Sequence, residues 1–475
     1  MNDTAPGLAE SACRRLLALA VLAWRSAWRS RLLLTLIGLL ALGLAGLPRT
    51  LAGDGTLAGR LKVLIHYNLG LSAMLLAAAT VWTAAGAISL EVQGRQMNLV
   101  AVKPVPMWQV WLGKWLGITA LNLALLAAAG AVTFGYVERA RRDPRVPAAQ
   151  RRLAQEQILT ARRQVRPRPE PIAQTVAARW RQWLAQGSLP PGVSPAEALA
   201  QLRIQALNER AIVPPEGRRQ WVFDPPRRGW TAALQGPIMA RARCRASALE
   251  PLPVKGTWSV AGPDGAVRTG ELPMEQGLGA RYGLTLPRSA FAAAEPVTLR
   301  FANGPRAVSG TAVFDWDEPV ELLLPEGGFA GNLARALLIV ALLLSLLAAL
   351  GLTAGALFSF PVAAFVSAGV LALALLSRTL ALSGREAEAL LEHDHGPAAP
   401  PSLLERAGAN AGAALGAALE PVLGLDPLGR LADGILLSWG TVGRAACWAA
   451  LGYGGALAAL GSGGLRRREL GTPGL

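Results

Sequence analysis

Residues 90–117 read LEVQGRQMNLVAVKPVPMWQVWLGKWLG. The stretch lies between two long apolar runs, about Leu69 to Leu90 and about Trp115 to Val137. It gathers Glu91, Arg95, Lys103, Lys114, two prolines and three tryptophans. Each flanking run has the length of about 20 residues that crosses a bilayer as helix. A basic, tryptophan-bearing turn between two such runs reads as a loop at the membrane surface. The chain is therefore expected to be a polytopic α-helical membrane protein.

The loop divides in two. Glu91 and Arg95 are four residues apart and are expected to pair on one helix face. Val92, Met97, Leu99 and Val100 give that short helix an apolar side. Pro104 and Pro106 end it, because proline cannot continue a helix interior. Trp108, Trp111 and Trp115 recur at i, i+3 and i+7, which predicts a second helix re-entering at headgroup level. Lys114 is placed to snorkel towards lipid phosphates.

Composition supports the same class. Of 475 residues, 52% are hydrophobic and only 16% charged, against about 25% charged in an average soluble chain. The net charge of +16 follows from arginines that flank apolar segments and from arginine used as a general polar residue. No nucleic-acid-binding motif accompanies it, so no nucleic acid is expected as partner. Cys13, Cys244 and Cys447 are far apart and show no metal or redox spacing.

Six spans are expected, at about 31–51, 69–90, 115–137, 333–354, 361–381 and 435–460. The uncharged run Ala336–Ser377 is too long for one crossing, and FSFP, Phe358 to Pro361, is its natural break. Residues 1–30 read as a cytoplasmic interfacial helix, with Arg14, Arg25 and Arg29 on one stripe. The basic start and apolar core of RRLLALAVLAW resemble a signal peptide, but RSAWRSR follows in place of a small-residue cleavage site.

The remaining boundaries follow. Residues 31–137 hold spans 1–3 with the loop 91–114. Residues 138–217 are Arg/Pro-rich and partly helical, with helical composition over Gln150–Gln164, extended VRPRPEP, and a helix from Ser194 to Glu209. This arginine-rich run would face anionic headgroups, a surface polymer or an acidic partner, or serve as a solvated connector. Residues 218–330 turn to period two with turn signals at Pro263-Asp264-Gly265 and read as an antiparallel β domain of sandwich type. Residues 331–381 hold spans 4 and 5, 382–434 a polar segment, 435–462 span 6, and 463–475 a basic tail. The N-terminal segment, the 91–114 loop and the tail all lie on one side in this scheme. Their arginines and lysines make that side the cytoplasm, which places the insertion between spans 3 and 4 outside.

Glu91, Arg95, Leu99, Lys103, Pro104, Val105, Gly113 and Lys114 together form Glu-x-x-x-Arg, Leu-x-x-x-Lys-Pro-Val and a Gly-Lys opening the next span. This pattern resembles the cytoplasmic coupling loop of ABC-2 type permeases, the membrane subunits of ATP-binding-cassette transporters. Pro106 and Met107 stand where that family often has Ser-Arg. The N-terminal helix resembles the family's interfacial elbow, LEPVLGLDPLGRLADG its external helices before the last span, and LRRREL its basic end. The resemblance covers residues 10–137 and 333–470 and leaves 138–330 outside. It implies a permease, acting in export, with a separate P-loop ATPase and a second permease copy, identical or not, as partners. It also implies multi-pass placement in the inner or plasma membrane, both termini cytoplasmic, and no cofactor. Glu91 and Arg95 would be docking contacts. Arg14, Arg25 and Arg29 would hold the elbow to anionic lipid or to the ATPase.

Other classes are weaker. The chain has no GxxxxGK[ST] phosphate loop, so ATP hydrolysis is expected on another chain. Three histidines and no nucleophile elbow give little for a membrane enzyme. His393 and His395 in LEHDHG are weak metal candidates, since on a helix they point apart. Arg444 lies inside the last span and is an intramembrane charge, either functional or snorkelling outward. A further reading is an ABC-2-like anchor or mechanotransmitter, whose outer domain binds a protein or polymer without solute transport.

Overall fold

The computed structural model describes residues 8–28, 31–50, 55–96, 105–186, 195–227, 229–230, 236–247, 252–276, 280–291, 295–315, 320–373, 375, 421 and 424–467. The chain forms two compact units, a helical one from residues 1–159 and 328–475 and a β-rich one from residues 160–327.

The helical unit opens with α1 (Leu8–Trp28) and α2 (Arg31–Thr50). Helix α3 (Leu57–Gln93) starts twelve residues before the expected span. Thr56 caps it, its hydroxyl accepting from the Gly59 amide at 3.0 Å. Arg60, Lys62 and His66, read from sequence as loop, ride on its first turns. At 37 residues it is about 55 Å long, well beyond the hydrocarbon thickness. Helix α4 (Met107–Arg142) follows, then the short α5 (Ala148–Ala154) and a π-turn, Gln155–Leu159.

The β-rich unit begins at once with β1 (Thr160–Val165), so the helical reading of Gln150–Gln164 holds for its first ten residues and fails for its last five. Arg162 explains the miss: a strand with a buried arginine hides its period. Its guanidinium donates to the Pro237 carbonyl at 2.8 Å. Residues 166–171 have no regular structure, as the prolines predict. Helices α6 (Ile172–Gln186) and α7 (Pro195–Ala211) pack together, joined by the Arg179–Glu209 pair. Helix α6 was not foreseen. Ser194, the expected cap of α7, lies outside the described residues.

Nine more strands complete the unit: β2 (Ile212–Val213), β3 (Arg218–Phe223), β4 (Ile238–Ala246), β5 (Val254–Ala261), β6 (Leu272–Gln276), β7 (Ala280–Leu286), β8 (Val297–Asn303), β9 (Ala312–Phe314) and β10 (Val320–Gly328). One sheet runs β1-β10-β4-β9-β2, with β7 also on β4; the other runs β3-β8-β5-β6. Strands β9 and β10 share one line along β4, their registers offset by four residues (Cys244 opposite Phe314, Ala242 opposite Val320). Both sheets turn alternate residues into one core, centred on Trp221, Trp258, Phe301 and Phe314 with ring centroids 4.9–6.1 Å apart. The predicted turn forms after β5, with Gly265 at φ +78°.

The chain then returns to the helical unit through α8 (Phe329–Leu357), which Phe358 ends in extended conformation. The FSFP break is therefore present. Helix α9 (Phe360–Leu373), α10 (Pro427–Ala432) and α11 (Trp439–Arg467), the last with an internal π stretch at Cys447–Tyr453, follow. Among the described residues four helices, α3, α4, α8 and α11, are long and apolar enough to cross a membrane. At the other two expected spans the described apolar helices are shorter, Leu34–Gly46 within α2 and the 14 described residues of α9.

Close approach at small residues knits this bundle. A β-carbon on Gly351 would lie 2.7 Å from Ala84 Cβ, and one on Gly355 would lie 2.5 Å from the Ala85 carbonyl oxygen, so α8 and α3 pack almost backbone to backbone. Two apolar clusters mark the bundle's ends. Leu61, Ile65, Val137, Ile158, Phe329, Leu333 and Val442 form one. At the other, Ile88, Val110, Trp111, Leu352, Ala356 and Leu465 meet, with Val92 and Val105 packed on them.

Candidate functional site

The second cluster is where the opening stretch lies. Its flanks, the end of α3 and the start of α4, meet there with the ends of α8 and α11. Helix α3 stops because Gly94 caps it, its N–H donating to the Leu90 carbonyl at 2.8 Å. Arg95 then takes a left-handed conformation, φ +56°, and is exposed. That geometry removes Arg95 from the helix face it would share with Glu91. The expected Glu91–Arg95 pair is not formed.

Glu91 is met instead by Lys114, whose Nζ lies 2.5 Å from Glu91 Oε1 and donates to the Ala87 carbonyl at 2.9 Å. Lys114 is only 8% exposed. The snorkelling expectation is thus corrected: the side chain turns into the bundle, where a carboxylate and a helix carbonyl replace its water. The tryptophans also part company. Trp108 is exposed, Trp111 is buried, and Trp115 donates its indole N–H to the Ser345 carbonyl at 2.8 Å. Trp111 and Trp115 stack with centroids 6.4 Å apart. They fasten α4 to the bundle and do not form a headgroup belt.

Helix α1 closes the site from another side. Gly113 and Gly117 of α4 form a small-x-x-x-small step against Leu16, Leu19, Ala20 and Ala23 of α1. A β-carbon on Gly117 would lie 2.6 Å from the Ala20 carbonyl oxygen. Lys114 therefore sits between two glycines that α1 covers. On α1, Arg14 and Arg25 are exposed together with Leu17, Val21 and Leu22. Sequence reading passed over this glycine step, although its four-residue spacing was visible. It also missed the Glu91–Lys114 pair, for which two charges set just inside neighbouring apolar runs were the available signal.

Leu99, Lys103 and Pro104 lie outside the described residues, as do Arg29, His393 and His395. Arg444 is exposed on the second turn of α11 and lies away from the Glu91–Lys114 pair. Among the described residues no group of three or more His, Cys, Asp or Glu is placed to hold a metal. Compared with known proteins, the chain matches no family model, no curated protein and no solved structure.

Proposed function

We propose that the chain is the permease subunit of an ABC-2 type exporter, coupled through residues 91–114 to a separate P-loop ATPase. The observation that carries this reading is the Glu91–Lys114 pair, which ties the two helices that flank the loop to each other. A push on the loop then moves α3 and α4 together, and α1 follows through Gly113 and Gly117. The loop between them is the docking segment, with exposed Arg95 at its entrance. Closure of the ATPase shifts the bundle between two packings by making different contacts in each.

In this reading the chain has six spans, both termini in the cytoplasm and the β-rich unit outside. It works with a second permease copy in the inner or plasma membrane. The experiment is co-purification of the tagged full chain from its native membrane, with ATPase activity measured on the eluate. A P-loop protein that is retained by the native chain and lost from Glu91→Ala/Arg95→Ala supports the proposal. Retention of no ATPase under conditions that keep other transporters intact removes it.

A second reading, mechanical work on an outside partner, has one observation in its favour. The chain passes between its two units with no loop at either junction: the Gln155–Leu159 turn leads directly into β1, and β10 leads directly into α8. ATP hydrolysis that depends on the permease with no solute moved would favour this reading over export.

A further inference from the structure

At the end of the helical bundle away from the 91–114 loop, the geometry points to a binding site for a phosphoryl group, lined by Arg141, Arg142, Arg151 and Arg152. The proposal stands apart from the coupling reading and rests only on the membrane character of α4.

The site is built by a reversal of the chain. Helix α4 ends in a turn rich in arginine, and residues 143–147, with two prolines, fold back into α5. This brings Arg151 and Arg152 beside Arg141 and Arg142, around an open cavity of about 570 Å³ completed by Ala148 and Gln155. Glu138 accepts from Arg141 and Arg142, each at 2.7 Å, and holds both guanidinium groups in place. One carboxylate offsets only one of the four charges. Asp143 is turned to its own loop, accepting from the Arg145 amide at 3.0 Å.

Arg151 and Arg152 make no ion pair among the described residues, and Arg151 Nε is buried without a hydrogen-bond partner. The remaining guanidinium nitrogens of Arg151 and the exposed Arg152 are the donors that line the cavity. Four arginines lining one open space suit an anion with several oxygens around one centre, which a phosphoryl group is. The depth fits a lipid headgroup. Val137 ends the apolar part of α4, Arg141 is about 6 Å further along the axis, and Val132 and Phe134 are exposed on the turns before it. Phosphate of a lipid and soluble phosphate share the chemistry and differ in where they come from.

The test uses the full chain in nanodiscs of phosphatidylcholine, with phosphatidylglycerol added in steps and bound lipid read by native mass spectrometry. Arg151→Gln/Arg152→Gln leaves the Glu138 cluster intact, and Arg227→Gln/Arg306→Gln removes the same charge from exposed positions of the β-rich unit. The proposal expects retained phosphatidylglycerol, weakened about thirtyfold by the first variant and unchanged by the second. A parallel arm adds inorganic phosphate to pure phosphatidylcholine discs and reads the thermal midpoint; a rise that the first variant abolishes assigns the site to a soluble phosphate. If the first variant does not fold, the single exposed Arg152→Gln decides. No response to either phosphate source, or equal loss in both double variants, overturns the site.

Discussion

Lys114 Nζ lies 2.5 Å from Glu91 Oε1 and joins the last turn of α3 to the third turn of α4 across 23 residues of sequence. Lys114 is buried, while the Glu91 side chain is a third exposed. The pair therefore ties together the two helix ends from which the loop leaves the bundle.

Removing one member leaves the other without its counter-charge. Glu91→Gln or Lys114→Met alone is expected to cost about 2 kcal/mol, less than the 3–5 kcal/mol of a fully buried pair because water reaches the carboxylate. The double variant is expected to recover most of that loss. Unfolding midpoints of the three variants in detergent check the cycle, and additive losses would show that the two side chains do not interact.

Gly117→Ala is expected to loosen α1 from α4. Its new β-carbon would meet the Ala20 carbonyl, a backbone atom that cannot rotate away. Overpacking of this kind costs about 1–3 kcal/mol. Limited proteolysis ahead of Arg31 should quicken in this variant, whereas Gly135→Ala, with open space around it, should leave the rate unchanged.

Cys244 lies in the middle of the β-rich core, and burial pushes its thiol up to about 12. The thiolate is the reactive form. At pH 8 an alkylating reagent should leave Cys244 unmodified in the folded chain and modify it fully in denaturant. Peptide mass spectrometry reads the difference, and rapid labelling of the native protein would contradict the two-sheet core.

Acid should weaken the β-rich unit in a defined window. Hydrogen bonds from Arg168 and Arg179 hold the carboxyls of Asp224 and Glu209 below their ordinary values of 3.8 and 4.5. Carboxylates depressed in the folded state stabilise it fully above those ordinary values, and the contribution is lost as pH falls from them through the lower folded-state values. Arg168→Gln/Arg179→Gln should therefore lower the thermal midpoint at pH 7 slightly, because both carboxylates are more than half exposed, and the difference from the unaltered chain should shrink as pH falls through the lowered carboxyl values.

The sequence shows the apolar helices and the β pattern because each repeats one physical signal over many residues. The FSFP break and the turn at Gly265 are legible for the same reason, since proline and glycine act locally. Glu91 was assigned the wrong partner because the four-residue rule assumes that the helix continues, and Gly94 ends it. Strand β1 was missed because Arg162 is buried by carbonyls distant in sequence. The arginine cavity was hidden too: Arg141 and Arg151 are ten residues apart and meet only because residues 143–147 reverse the chain.

The most direct test of the coupling account places a photo-crosslinking residue at position 95, the exposed left-handed residue where the chain leaves α3, and irradiates native membranes. The account predicts one dominant adduct, a protein carrying a GxxxxGK[ST] loop, that disappears in Glu91→Ala. An adduct with a protein lacking such a loop, or labelling of position 95 only by reagents confined to the outside, would contradict it.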